Sequence, residues 1–194
     1  MASAALGTFD RLHDEATKLK DTARREHAAG YPKHAASCLR SAIVLAVAAV
    51  DTYFHEQGVR LLLSHLNGPL STAGAVQAFT GLANTQLTGP SATGLVRWKL
   101  SYKTFQSPVK IDDLFRACGL DAEDIWLRST VAYGSRPDRV RLSVQLQTDR
   151  RNQIAHEGDW DPVALQLRAI TETHVDDCVG CLGPLVRHMD TILP

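Results

Sequence analysis

Apolar residues recur at helical spacing along nearly the whole chain. Leu12, Ala16, Leu19 and Ala23 lie three and four apart and draw one apolar stripe on a helix running to about Ala29. Thr8 or Asp10 can cap its start, and Gly30-Tyr31-Pro32 stops it. A longer helix is predicted from about Lys33 to Leu66, closed by Asn67-Gly68-Pro69. Its centre, Ala42 to Val50, is apolar all round, which puts it at the heart of a bundle. Residues 67–94 change character, with many Gly, Ser, Thr and Asn and the breaks Gly68-Pro69 and Gly89-Pro90. They read as an insertion carrying one short helix near Ala75 to Ala83, covering the active face or packing at an interface. Short helices are predicted over Gly94–Tyr102, Asp112–Cys118 and Ala122–Val131. Arg139 to Glu157 reads as one helix between Pro137-Asp138 and Gly158, with Val140, Val144, Leu146 and Ile154 on its buried side. A last helical region is predicted from Asp161-Pro162, through Val163, Leu165, Leu167 and Ile170, to about Ile192, weakened by Gly180, Gly183 and Pro184. The expected architecture is all-α, with four to five main helices and an inserted loop and short-helix region at about 67–94, in a single domain over 1–194.

Composition sharpens this only in places. A chain of 194 residues is long enough to bury a substantial core. Lys plus Arg and Asp plus Glu both number 21, so no global field advertises nucleic acid. Locally, residues 134–156 hold Arg136, Arg139, Arg141, Arg150 and Arg151 against Asp138 and Asp149, which suits a phosphate-binding surface or a solvated helix face alike. The first residues lack a basic segment, and the longest apolar run falls far short of the ~20 residues that span a bilayer. The expectation is a cytoplasmic protein with no signal peptide and no membrane association. Cys178 and Cys181, near His174, Asp176 and Asp177, invite a zinc reading, but a structural site needs four ligands and no second Cys-x-x-Cys exists. Small buried cysteines on a helix are expected instead, with no metal and no cofactor.

The candidate chemistry lies in Arg150-Arg151-Asn152-Gln153-Ile154-Ala155-His156-Glu157-Gly158-Asp159. Asn152 and His156 are about 40° apart on a helix, and Arg151, about 140° from His156, has a side chain long enough to swing over the same end. The trio suits a phosphodiester: Arg binds phosphate oxygens bidentately and His moves a proton near neutral pH. A solvated helix end whose cations complement the macrodipole meets the same spacing. Farther upstream, Arg97-Trp98-Lys99, Tyr102-Lys103 and Phe105 interleave bases and aromatics as RNA-stacking surfaces do. Their spacing favours a core stripe, and Trp160 reads as a packing anchor. His55 and Glu56 read as structural or exposed residues.

Arg151-Asn152-x-x-x-His156 resembles the Arg-x-x-x-x-His signature of the HEPN superfamily, compact helical domains that include many metal-independent ribonucleases. Ala42 to Tyr53 resembles the long second helix of that group, with its acidic and aromatic end. Thr104-Phe105-Gln106-Ser107-Pro108 with Ile111-Asp112-Asp113-Leu114-Phe115 resembles the connecting segment of the RiboL-PSP-HEPN branch. Together these cover roughly residues 35 to 160.

The resemblance implies a HEPN-like bundle and a metal-independent endoribonuclease of toxin or phage-defence type, cleaving RNA by attack of the 2′-hydroxyl to leave a 2′,3′-cyclic phosphate. His156 would serve as acid or base. Arg151 would stabilise charge on the phosphorane. Asn152 would orient His156 or bond the substrate, and Arg150 would hold a flanking phosphate. Asp51 matches the acidic position of the second helix; it either holds Arg151 or His156 by a charged hydrogen bond or is a surface carboxylate. One cassette per chain implies a homodimer with both His156 residues at a shared cleft. An antitoxin or defence-system partner of unspecified identity also follows from the resemblance. Toxins of this group silenced by nucleotidyltransferase antitoxins carry a Tyr two residues after the motif His; here Gly158 stands there, which excludes modification of a tyrosine at that site. The alternatives are a non-catalytic module of this type binding RNA or a partner protein, and an unrelated helical interaction protein.

Overall fold

The helix forecast at the heart of the bundle runs from Pro32 to Leu66 (α2), and the rest of the chain is wrapped around it. The computed structural model describes residues 2–66, 70–131 and 134–194. Before α2 comes α1 (Ala4–Ala28). After it come α3 (Leu70–Thr80), α4 (Asn84–Leu87), α5 (Ala92–Leu100), α6 (Pro108–Ala117), α7 (Ala122–Thr130) and α8 (Pro137–His156). A hairpin of two-residue strands, β1 (Trp160–Asp161) and β2 (Gln166–Leu167), precedes α9 (Glu172–Ile192). The protein is an all-α bundle whose four long helices are α1, α2, α8 and α9.

α2 is the axis because its residues are buried on every side, from Leu39 and Ile43 through Val50, Phe54 and Leu62. By length and composition it is apolar enough to cross a membrane, but here its sides are covered by α1, α5, α8 and α9. α1 folds back along it across a turn in which Gly30 takes φ +86°, a left-handed conformation that favours glycine. Tyr53, Phe54 and Phe115 meet edge to face at 5.0 and 5.9 Å, locking α2 to α6. At one end of the bundle Asp190 of α9 accepts from Tyr53 Oη (3.2 Å), Gln57 Nε2 (2.8 Å) and the Ser3 backbone N–H (3.1 Å). Burial there, together with the nearby Asp190 charge, drives the Tyr53 hydroxyl pKa upward.

Several expectations change. The N-cap of α1 is Ser3, whose hydroxyl accepts from Leu6 N–H (3.0 Å), and not Thr8 or Asp10. Thr8 sits inside the helix bonding the Ala4 carbonyl, and Asp10 pairs with Arg187. Residues 67–94 are more helical than their composition suggests, carrying α3, α4 and the start of α5; Asn67-Gly68-Pro69 lies outside the described residues. Pro137 is the first residue of α8, where its missing N–H costs nothing. Leu146 is 56% exposed, so the buried row of α8 is Val140, Val144 and Thr148, with Ile154 packed partly against the core.

The largest change is at 161–170, where no helix forms. The Asp161 carboxylate accepts from the N–H groups of Val163 (2.9 Å) and Ala164 (3.0 Å), turning the chain into the hairpin. The Ala164 bond, then the Val163 bond, hold the Asp161 carboxyl below its usual pKa. Val163 is 91% exposed, and Leu165 and Leu167 are exposed too, so their apolar character marked no core face. Trp160 is exposed rather than a packing anchor. The aromatic stripe likewise divides: Phe105 is buried, while Trp98 and Tyr102 are 51% and 73% exposed. Cys178 is buried in α9 and Cys181 half-buried; burial pushes their thiols up to about 12 and about 11, which suits packing residues.

Candidate active site

α8 carries two rows that matter. Val140, Val144, Thr148 and Arg151 follow one another at spacings of four, four and three, so Arg151 rises from the core-facing side. Gln145, Asn152 and His156 lie on the neighbouring row that faces outward. Arg151 bends from one row to the other. Its Nη1 donates to Asn152 Oδ1 (3.1 Å) and reaches His156 Nε2 (3.2 Å). A guanidinium can only donate, so Nε2 is the acceptor in this contact. The Arg151 Nε–H is buried with no hydrogen-bond partner, an arrangement that typically costs about 1–3 kcal/mol.

These three residues border a cleft of about 470 Å³ whose opposite wall is the segment between α5 and α6. That segment is pinned from two sides. Asp51 of α2 accepts from the Phe105 N–H (2.5 Å), Gln106 Nε2 (3.1 Å) and Thr104 Oγ1 (3.4 Å). Thr148 of α8 donates to the Gln106 carbonyl (2.7 Å). Buried Phe105 anchors it below, with the His55 ring edge-on at 4.9 Å. Lys110 adds a cation to the cleft from the first turn of α6.

The structure therefore brings Arg151, Asn152 and His156 together and assigns the two supporting residues differently. Asp51 lines the cleft but holds the 104–106 segment; its partners are on that segment and on His55 (3.6 Å), and it bonds neither Arg151 nor His156. Arg150 does not face the cleft with a free cation. It makes two hydrogen bonds to Asp159, a side chain with 0% exposure that also accepts from Arg40 Nε at 2.5 Å. The same two arginines bond the Ala169 (3.4 Å) and Arg168 (2.9 Å) carbonyls. Asn152 accepts from Arg151 rather than orienting His156 directly.

Sequence reasoning missed Arg40, Asp159, Thr148, Gln106 and Lys110. Asp159 stood at the end of the cassette, and a carboxylate three residues after the end of α8 was a visible signal. Its partner Arg40 lies 119 residues away, and no local pattern links the two. Among the described residues, none of 67–94 lines this cleft. Among the described residues no group of three or more His, Cys, Asp or Glu is placed to hold a metal ion. Compared with family models, curated proteins and solved structures, the chain finds no significant match.

Proposed function

We propose that the protein is a metal-independent endoribonuclease in which Arg151 binds the scissile phosphate and His156 transfers the proton. The observation that carries this is the charge state of the cleft. Arg150 is neutralised by a buried carboxylate, whereas Arg151, its neighbour in sequence, has no carboxylate partner among the described residues, and its guanidinium hydrogen-bonds Asn152 and His156. A decorative helix end would gain nothing by burying part of an unpaired guanidinium. An anion arriving in the cleft compensates that charge and takes Arg151 away from His156 Nε2. The lone pair so released can accept the proton of a 2′-hydroxyl as its oxygen attacks phosphorus. The ribose oxygen then bonds to phosphorus, the 5′-oxygen leaves with a proton, and the products are a 2′,3′-cyclic phosphate and a 5′-hydroxyl. Arg151 holds the non-bridging oxygens as charge builds on them. The resemblance of the cassette to the HEPN signature supports the same chemistry.

Incubation with total RNA in excess chelator, followed by end-group analysis, tests this. The expected result is new ends bearing cyclic phosphate and 5′-hydroxyl. Ends bearing a 5′-phosphate, or activity that chelator removes, contradict it.

One cassette per chain leaves a second proton carrier to be supplied, and we propose a homodimer that brings two cassettes to one cleft. Leu142 and Leu146, both exposed, lie about 40° apart on α8 and border the row of Gln145 and His156. Exposed Trp160 and Leu167 lie just beyond the helix end. Apolar surface of this kind beside a polar cleft suits a self-complementary interface. Leu146→Glu is expected to convert the dimer to monomer in light scattering and to remove most of the cleavage. A parent protein that is monomeric at micromolar concentration and fully active contradicts the pairing.

A further inference from the structure

The candidate cleft does not end at the 104–106 segment. Thr104 and Lys110 line both it and a second hollow of about 310 Å³, whose other walls include Tyr102, Lys103 and Phe79. Tyr102 stands edge-on to Trp98 at 5.5 Å, and both are exposed. Lys99 lies over the Trp98 ring at 4.9 Å, and Lys103 over the Phe79 ring at 4.3 Å. A continuous surface thus runs from His156 across Lys110 and Lys103 to two open aromatic rings.

Arg97, beside this surface, is matched by a carboxylate: Glu56 holds it through both η nitrogens. Among the described residues no carboxylate pairs with Lys99, Lys103 or Lys110; Asp113, at the edge of the second hollow, is bonded by Arg116 (3.1 Å). Large aromatics left in solvent beside unpaired lysines are costly for a lone fold and useful for a ligand with flat rings on an anionic backbone. A duplex keeps its bases stacked inside and offers them no access to such rings, so the fitting ligand is single-stranded.

We propose that Trp98 and Tyr102 form a base-stacking subsite for single-stranded RNA flanking the cleaved bond, with Lys103 and Lys110 carrying the intervening phosphates. It rests on the ribonuclease reading above and names the form of substrate that the cleft accepts. Tyr102 and Gln106 are four residues apart, at most about 14 Å of extended chain, so the stacked base lies within a few nucleotides of the scissile phosphate.

Binding is measured by fluorescence anisotropy with a short labelled 2′-O-methyl RNA, which lacks the nucleophile and stays intact on the parent protein. Trp98→Ala and Tyr102→Ala are each expected to weaken binding on the order of tenfold, and Trp98→Phe to keep most of it. Lys103→Gln is expected to weaken binding and flatten its dependence on salt by about 0.7 in log–log slope. Addition of unlabelled RNA should quench tryptophan emission in the parent and much less in Trp98→Phe. Affinity unchanged in the two alanine variants overturns the subsite, as does equal affinity for a duplex or an abasic strand, or no binding to the parent at all. The two proposals fail separately. Trp98-dependent binding without cleavage of ordinary RNA removes the nuclease and keeps the subsite; cleavage with binding indifferent to Trp98 and Tyr102 does the reverse.

Discussion

His156→Ala is expected to lower metal-independent RNA cleavage by about 100- to 10,000-fold, the range in which a positioned proton carrier contributes. The ring is exposed and its one contact within the site is Arg151 Nη1, so the fold should tolerate the change to within about 0.5 kcal/mol. Arg151→Ala should cost at least as much activity, because it removes the phosphate contact and the two hydrogen bonds that gather Asn152 and His156. Arg151→Lys should recover little, because an ammonium offers no planar fork to reach Asn152, His156 and a phosphate together. Asn152→Ala should be the mildest, on the order of tenfold, since its amide positions Arg151 and touches no reacting atom in the proposed step. Rates on one defined RNA, with circular dichroism of each variant, provide the check. Cleavage indifferent to His156→Ala removes the mechanism, and a loss of helix in that variant would make His156 a structural residue.

Asp159→Asn should be the most damaging conservative change to stability. Asp159 has φ +59° after Gly158 at +63°, a left-handed pair that turns the chain out of α8 while the Asp159 N–H bonds the Gln153 carbonyl at 2.9 Å. Asn tolerates that conformation nearly as well as Asp, so the substitution isolates the charge from the backbone. What it removes is the carboxylate shared by Arg40 and Arg150, each mostly buried. Leaving two guanidiniums without their counter-charge should cost about 3 kcal/mol, toward the lower end of the range for broken buried pairs because both arginines keep carbonyl partners. That corresponds to a fall of about 6–12 °C in Tm for a chain of this size. Asp159→Ala should fall further by about 1 kcal/mol, since Ala lacks the short polar side chain whose local hydrogen bonds let Asp and Asn tolerate the left-handed region. Thermal or denaturant unfolding of both variants measures the difference, and a Tm within about 2 °C of the parent for Asp159→Asn would show that the clamp contributes little.

The two supporting residues show why part of the site was legible and part was not. The cassette was readable because Arg151, Asn152 and His156 lie within one turn and a half of one helix, so helical geometry alone gathers them. Arg150 sits immediately before them, yet its direction depends on a carboxylate beyond the helix end and on an arginine of α2. Asp51 was identified through its place on the second helix, but its bonding partners come from the connection between α5 and α6. Trp98 and Tyr102 obey the same helical spacing as a core stripe, but Trp98 lies on the exposed side of α5 and the chain has left the helix before Tyr102.

By itself the sequence determined the all-helical class, the span of α2, the end of α8 at Gly158 and the nearness of Arg151, Asn152 and His156. Each of these follows from interactions within a few residues: apolar periodicity, the lack of a β-carbon at a left-handed position, and the pitch of one helix. The tertiary structure alone decided which arginine is neutralised and which is left for a ligand, because Asp159 meets Arg40 only when α2 packs against the end of α8. It also decided that residues 161–167 form a hairpin. There the Asp161 side chain competes for backbone N–H groups that a helix would otherwise use, and apolar residues at helical spacing turn outward because nothing packs over them.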